Sequence, residues 1–583
     1  MKFRIPMLVA FFPVLLALLA APARGEGERP FHEQVDLGTL GALAVQAEGR
    51  VKSLSSHANT LMDHVSGSRL VSGQPPLFTY LDLTFRPEAY VDADLVYVKN
   101  KQVREQIAVA VEGVEPELAG RLAAFRATGL VSPKILGRPE VEALLGKLAG
   151  DLIRTEKQVT QIRSALAVAD PRFLLGRLRL IPPADGAVDR QWHGIEEVMF
   201  VPGSSPEPDE FVLLAERTPP IEGIDLGLQS RIADAWRDLV NGWNRGDAAA
   251  VNAAAAGLAS ALPAVHAESY PDAARLRWEH WYFAKDQLTS IWLVYLAAVV
   301  ALLVAIVYRW PNALRLAFGV FGLALLLQTG AVLLRWWISG RWPNSNMFEA
   351  VTTAAWFGAV GAVLLEWLAR RTAMRGLFAL GAAVSSMVAL MIAHFMPVYL
   401  NPNISNMMPV LHDVWLYIHT NVIIFSYCLI FMAAVTGFGY LAWRLAGGGE
   451  AYARVGGAGS LVQGGVAGGG PGGGIATARG PSWGEVLDGT TMILIEVSFV
   501  LLWAGIVMGA IWADHSWGRP WGWDPKEVFA LNTFVIFLIL IHVRLKSRDK
   551  GLWTAVLALA GAAVMLFNWI VINFVITGLH SYA

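Results

Sequence analysis

The stretch Ile511–Leu531, IWADHSWGRPWGWDPKEVFAL, sets Trp512, Trp517, Trp521 and Trp523 among Asp514, Arg519, Asp524, Lys526 and Glu527. Gly518, Gly522, Pro520 and Pro525 interrupt it, yet long apolar runs flank it on both sides. A run of about 20 apolar residues is what a helix needs to cross a bilayer. The stretch therefore reads as a stiff, aromatic and polar platform at the edge of a membrane.

Working outward, the apolar runs predict eight spanning helices, at approximately 288–308, 313–336, 349–369, 376–397, 413–443, 490–511, 527–545 and 552–577. The fold class is mainly α: a polytopic membrane protein preceded by a signal sequence and a mainly helical extracytoplasmic domain. A hydrophobic fraction of 55% against 16% charged residues agrees with this class. A net charge of −1 argues against a nucleic-acid partner, which would need a basic surface. The single cysteine, Cys428, lies in an apolar run, so the chain holds no internal disulfide, Cys-x-x-Cys pair or cysteine zinc site.

Loop charge gives the orientation. One set of alternate loops carries Arg309, Arg315, Arg370, Arg371, Arg375, Arg444, Arg454, Arg479, Arg544, Lys546, Arg548 and Lys550. The opposite set carries only Arg335, Arg341, Arg519 and Lys526. By the positive-inside rule the first set is cytoplasmic. The amino-terminal domain, the tryptophan platform and the carboxyl terminus then face outward, across the inner membrane of a bacterium. Residues 1–23 support the same orientation. Lys2 and Arg4, the apolar run Ile5–Ala20 and Ala21-Pro22-Ala23 form a signal peptide or a retained anchor.

Residues 24–285 read as an extracytoplasmic soluble domain. VEALLGKLAGDLIRTEKQVTQIRSALAV (Val141–Val168) has helical spacing, and DADLVYVKN (Asp92–Asn100) reads as strand. No catalytic motif emerges there, and His57 and His64 read as solvated surface histidines. The Gly-rich tract Gly456–Gly474, within a cytoplasmic loop at 445–483, follows no strand and opens no helix. It reads as a tether rather than a phosphate-binding loop.

The chemistry converges on the outer leaflet. His419 lies inside the fifth span at its outer end, and His580 lies just past the eighth. His542 sits deep in the seventh span toward the cytoplasm, where an ionisable residue is costly. Two outer imidazoles beside a tryptophan cluster have the composition of a bis-histidine haem site. A flat apolar macrocycle wants broad aromatic faces, its iron wants neutral imidazole nitrogen, and its propionates want a cation. An aromatic interfacial belt is the plainer account of the tryptophans. It leaves their interleaving with Gly, Pro and Asp in loop 512–526 unexplained.

The segment WGRPWGWDPKEVFAL resembles the tryptophan-rich WWD signature of haem-handling proteins that assemble c-type cytochromes, through Trp517, Gly518, Trp521, Trp523, Asp524, Pro525, Lys526 and Glu527. GRWPNSNMFEA (Gly340–Ala350), LHDVWLYIHTNVIIFSY (Leu411–Tyr427) and the terminal GLHSY narrow the resemblance to the CcsA/ResC family, over residues 286–583. The resemblance implies that His419 and His580 ligate the iron of haem b, carried as cargo, beside the WWD loop. It places the family's intramembrane histidine at His542. Trp517, Trp521, Trp523 and Asp524 would complete the site, with Arg519 or Lys526 at the haem edge. His515 and His412 stand where family members often have Glu and Gln, and with His394 they are minor candidates for spare ligands. No CcsB/ResB half is fused here, so the resemblance implies a separate CcsB/ResB-type membrane subunit as partner and apocytochrome c as client. The implied activity is cytochrome c haem lyase, attaching haem at a CxxCH motif. The alternatives are a haem exporter or chaperone without ligase activity, a non-haem solute transporter, and a purely structural assembly subunit. The solute transporter would call for an internal repeat, which the sequence does not display.

Overall fold

The computed structural model describes residues 30–67, 69–151, 155–187, 190–198, 221–308, 310–397, 399–404, 413–453 and 482–572. The signal segment 1–23, most of the Gly-rich loop, His412 and His580 lie outside the described residues. The chain divides into two compact units, residues 1–43 with 69–270 and residues 44–68 with 271–583.

The first unit is helical, with one antiparallel strand pair, Val96–Tyr97 against Leu130–Val131. Val96–Tyr97 falls in the stretch where strand was expected, and its partner Leu130–Val131 lies outside it. The Val141–Val168 segment forms two helices, Pro139–Ala149 and Glu156–Val168. Between them Gly150 and Asp151 break the periodicity. A helical hairpin, Leu226–Arg245 and Ala248–Ala261, turns at Gly246, whose φ of 70° suits glycine. Trp243 is wholly buried against Phe31, Phe78 and Phe85. Its indole N–H donates to Asp82 Oδ1 at 2.8 Å, and the Tyr90 hydroxyl donates to Asp82 Oδ2 at 2.9 Å. Burial, helped by the Asp82 carboxylate, pushes the Tyr90 phenol above its ordinary pKa.

The second unit begins with a hairpin, β1 (Ala44–Ala47) and β2 (Arg50–Ser53), and helix α1 (Leu54–Ser66). Helix α2 (Ala273–Ala284) precedes the eight helices that, among the described residues, are long and apolar enough to cross a membrane. These are α3 (Trp292–Val307), α4 (Pro311–Ser339), α5 (Met347–Leu368), α6 (Leu377–Phe395), α7 (Val414–Leu445), α8 (Trp483–Trp517), α9 (Pro525–Lys546) and α10 (Lys550–Phe567). Each overlaps one span expected from the sequence.

Two ends differ from expectation. Helix α8 starts at Trp483, fixed by the Ser482–Glu485 capping box, and runs on through Trp512 to Trp517. Gly518, at φ 67°, ends it. The non-helical platform is thus only residues 518–524, because the apolar helical pattern of α8 outlasts the first tryptophan.

Residues 44–68 lie within the segment read as soluble, yet they pack in the membrane unit. Arg50 bonds Glu279 of α2 at 2.8 Å and the Ile404 carbonyl at 3.1 Å. Asn403 donates to Asp63 of α1 at 2.9 Å. His57 is 3% exposed, so the surface reading fails for it: its face of α1 is the buried one. His64 is exposed, as expected.

A buried ion network closes the turn between α4 and α5. Glu349, fully buried, accepts from Arg335 at 2.8 Å and from Arg341 at 2.9 Å. It also accepts from the Ser345 amide at 2.8 Å. Arg335 reaches on to the Pro402 carbonyl, and Asn346 to that of Asn403.

Candidate functional site: an indole-lined cleft between α7, α8 and α9

Helix α7 starts at Asp413, whose carboxylate accepts from the amides of Trp415 and Leu416. His419 follows within two turns. Its Nδ1 lies 2.7 Å from the Gly505 carbonyl oxygen of α8. A carbonyl only accepts, so Nδ1 carries the proton and Nε2 is the basic nitrogen. The neutral tautomer that metal ligation requires is set by the backbone of a neighbouring helix.

His419 lines a cleft of about 250 Å³. Thr420, Ile423, Ile424 and Tyr427 continue its wall down α7, and Ile506, Gly509, Ala510 and Trp512 form the α8 side. Pro520, Trp521, Lys526, Glu527 and Ala530 close the rim on the side of the 518–524 loop. At the far end Asn568 donates to the Tyr427 hydroxyl at 3.1 Å. Asn568 opens a single π-turn, Asn568–Ile572, which also brings Trp569 to the wall. Such turns recur at functional sites because the extra residue re-aims the chain.

The platform itself is a helix start. Asp524 is 5% exposed and accepts from the Lys526 amide, Pro525 opens α9, and Glu527 completes a capping box. Glu527 Oε2 also accepts from the Gly522 amide at 2.8 Å, folding the loop back on itself. The motif's aspartate and glutamate thus shape the backbone.

Of the tryptophans, Trp521 lines the cleft, while Trp523 is 73% exposed and meets Trp521 edge-on at 6.0 Å. Trp523 has φ 55°, a left-handed value rare for a bulky side chain and a form of strain that collects at functional sites. Trp517 packs edge-on against Trp512 at 4.8 Å. Arg519 is exposed and lies over Gly522, outside the cleft lining.

Among the described residues, His394, His515 and His542 do not line the cleft. His542 is exposed on α9, with Nδ1 donating to the Leu538 carbonyl at 2.8 Å, so its basic nitrogen is Nε2. His394 lies 2.9 Å from the Thr289 hydroxyl, and exposed His515 lies 3.8 Å from Asp413. Among the expected residues, the structure brings His419, Trp521 and Lys526 together. Sequence reasoning placed Trp512 in the platform, whereas it lines the cleft from within α8, and it missed Tyr427, Asn568, Trp569 and the two α8 glycines. The spacing of Gly505 and Gly509, four residues apart in an apolar helix, was the available signal for a close helix contact.

Two of the dispersed motifs, Gly340–Ala350 and Leu411–Tyr427, meet here. In Gly340–Ala350, Trp342 Nε1 donates to Asn421 Oδ1 at 3.0 Å and Asn344 Nδ2 to Thr420 Oγ1 at 3.2 Å. Both acceptors sit beside His419. A model of the family described as "Cytochrome C assembly protein" matches residues 344–580. The chain is 32% identical over 273 residues to the cytochrome c biogenesis protein CcsA of Parasynechococcus marenigrum (strain WH8102). That match spans 45% of this chain and 84% of the relative.

The chain belongs to the CcsA family.

The CcsA protein of Synechococcus sp. (strain CC9902) is 31% identical over 304 residues, covering 49% of this chain and 94% of the relative. That of Prochlorococcus marinus (strain MIT 9313) is 29% identical over 271 residues, covering 45% and 81%. The chain is thus a multi-pass membrane protein of cytochrome c biogenesis. About half of it lies beyond what these CcsA relatives match.

Among the described residues, no group of three or more His, Cys, Asp or Glu could hold a bare metal ion. Haem asks less of the protein, since its macrocycle supplies four nitrogens and only axial positions remain. An imidazole of fixed tautomer, indole walls and Lys526 at the rim fit that demand.

Proposed function

We propose that the cleft holds haem as substrate during cytochrome c assembly, with His419 Nε2 on the iron and His580 as the second axial ligand. The observation that carries this is the His419 tautomer, set by Gly505 at the wall of an indole-lined cleft. Trp512, Trp521 and Trp569 supply aromatic surface, and Lys526 supplies a cation for a propionate. Haem reaches the cleft from the cytoplasmic side by way of His542, which is exposed within its span and awaits a CcsB/ResB-type subunit.

A reduced apocytochrome then presents its CxxCH segment at the outer rim. Its histidine replaces one axial imidazole. Each thiol adds across a haem vinyl group: sulfur bonds one vinyl carbon and a proton is added to the other, with no net oxidation. The contribution of this chain is positioning, which lowers the entropic part of the barrier.

The test is the absorption spectrum of haem co-purified with the protein. His419→Ala should lose it, and added imidazole should restore it. A haem spectrum unchanged in the His419→Ala/His580→Ala double variant refutes the assignment. Co-expression with a CcsB/ResB-type subunit and a reporter apocytochrome separates the ligase from a haem exporter or chaperone: only the ligase yields covalently attached haem.

A further inference from the structure

We infer that Gly509 is a positioning residue for His419, and that a side chain there would unseat the imidazole. The inference rests on the haem reading above. Within a helix, the Gly505 carbonyl is the regular acceptor for the amide four residues on, at Gly509. A carbonyl oxygen has two lone pairs and can take a second donor, provided that nothing shields it. The side chain four residues along is what would shield it. At position 509 there is none.

The available space decides the case. A Cβ built on Gly509 would lie 2.7 Å from His419 Cε1, 2.9 Å from Nδ1 and 3.2 Å from Nε2. The ring edge that carries both nitrogens therefore rests on the bare backbone of α8. A methyl group at 509 cannot coexist with that ring position. The imidazole is rigid, so relief requires moving the whole ring, which breaks the bond from Nδ1 to Gly505 and re-aims Nε2. Loss of such an outer partner typically weakens metal binding by about 10- to 100-fold.

The experiment compares Gly509→Ala with Gly330→Ala in the full-length protein in detergent. A Cβ at Gly330, in α4, meets nothing within 4 Å. Haem affinity and the absorption spectrum are read for both, with and without imidazole. Gly509→Ala should bind haem about 10- to 100-fold more weakly, with an altered spectrum that imidazole shifts back toward wild type. Gly330→Ala should match wild type.

If Gly509→Ala alone fails to fold, His419→Ala/Gly509→Ala provides the second measurement. The methyl then occupies space vacated by the ring, so imidazole should rescue haem binding less well than in His419→Ala. Wild-type affinity and spectrum in Gly509→Ala, or equal rescue in the double variant, overturns the inference while His419 dependence stands. Haem binding indifferent to His419 overturns this inference and the proposed site together.

Discussion

Removing the Glu349 carboxylate should be among the most damaging single changes in the membrane unit. Glu349 is fully buried and Arg335 is 2% exposed, whereas Arg341 is 12% exposed and nearer water. In Glu349→Leu, the Arg335 guanidinium keeps the Pro402 carbonyl but loses its counter-charge in a dry site. Breaking a buried pair by removing one partner costs about 3–5 kcal/mol. Arg341 can turn toward solvent, so its lost pairing adds only about 0–1 kcal/mol. The sum, about 3–6 kcal/mol, is a large part of the roughly 5–15 kcal/mol that holds a typical protein folded. The assay is reversible unfolding in mixed detergent micelles, comparing wild type, Glu349→Leu, Arg335→Met and the double variant. Because an apolar pair of similar volume can replace a buried ion pair, the double variant should recover at least half of the loss. A cost below about 1 kcal/mol for Glu349→Leu would refute the claim that this network is dry. Haem binding should fall with stability, since the same network secures the segment whose Asn344 bonds Thr420 next to His419.

Three further outcomes are expected. Arg50→Ala should cost about 1.5–3 kcal/mol, the range for a charged hydrogen bond, and amide exchange near residues 402–404 should quicken in a mass-spectrometric measurement. Trp523→Gly should leave the thermal midpoint unchanged or raised, because a left-handed backbone costs an L-residue about 1–2 kcal/mol that glycine does not incur; a lowered midpoint would mean that the exposed indole has a packing role. Gly551→Ala should lower folded yield in membranes, since its Cβ would overlap both the Ala451 carbonyl oxygen and the Tyr440 hydroxyl; normal yield would show that this contact is loose.

The spans were legible because a bilayer imposes a length and a polarity that composition alone displays. His419 was legible because an imidazole in an apolar helix beside a tryptophan cluster has few inexpensive explanations. The function of Asp524 was less legible. Its place among tryptophans pointed to the cargo, whereas its position before Pro525 and three residues ahead of Glu527 is equally a helix-start pattern, and the backbone uses it so. Tyr427, Asn568 and Trp569 could not be found from spacing, because they meet only through the packing of α7 on α10 and the π-turn that follows. Gly505 and Gly509 were visible as letters, but what approaches them is a tertiary fact. The same holds for Arg50 and Asp63, whose charged, soluble-looking surroundings gave no sign that their partners lie on the loop between α6 and α7.

That last arrangement bears on how the polypeptide can be dissected. A truncation beginning near residue 286, where hydropathy suggests a natural boundary, would discard Arg50, Asp63 and Glu279 together. The Ile404 carbonyl and the Asn403 side-chain amide would then lose their hydrogen-bonding partners. A chimera that grafts the last eight helices onto another leader inherits the same defect, unless residues 44–68 and 271–285 travel with them.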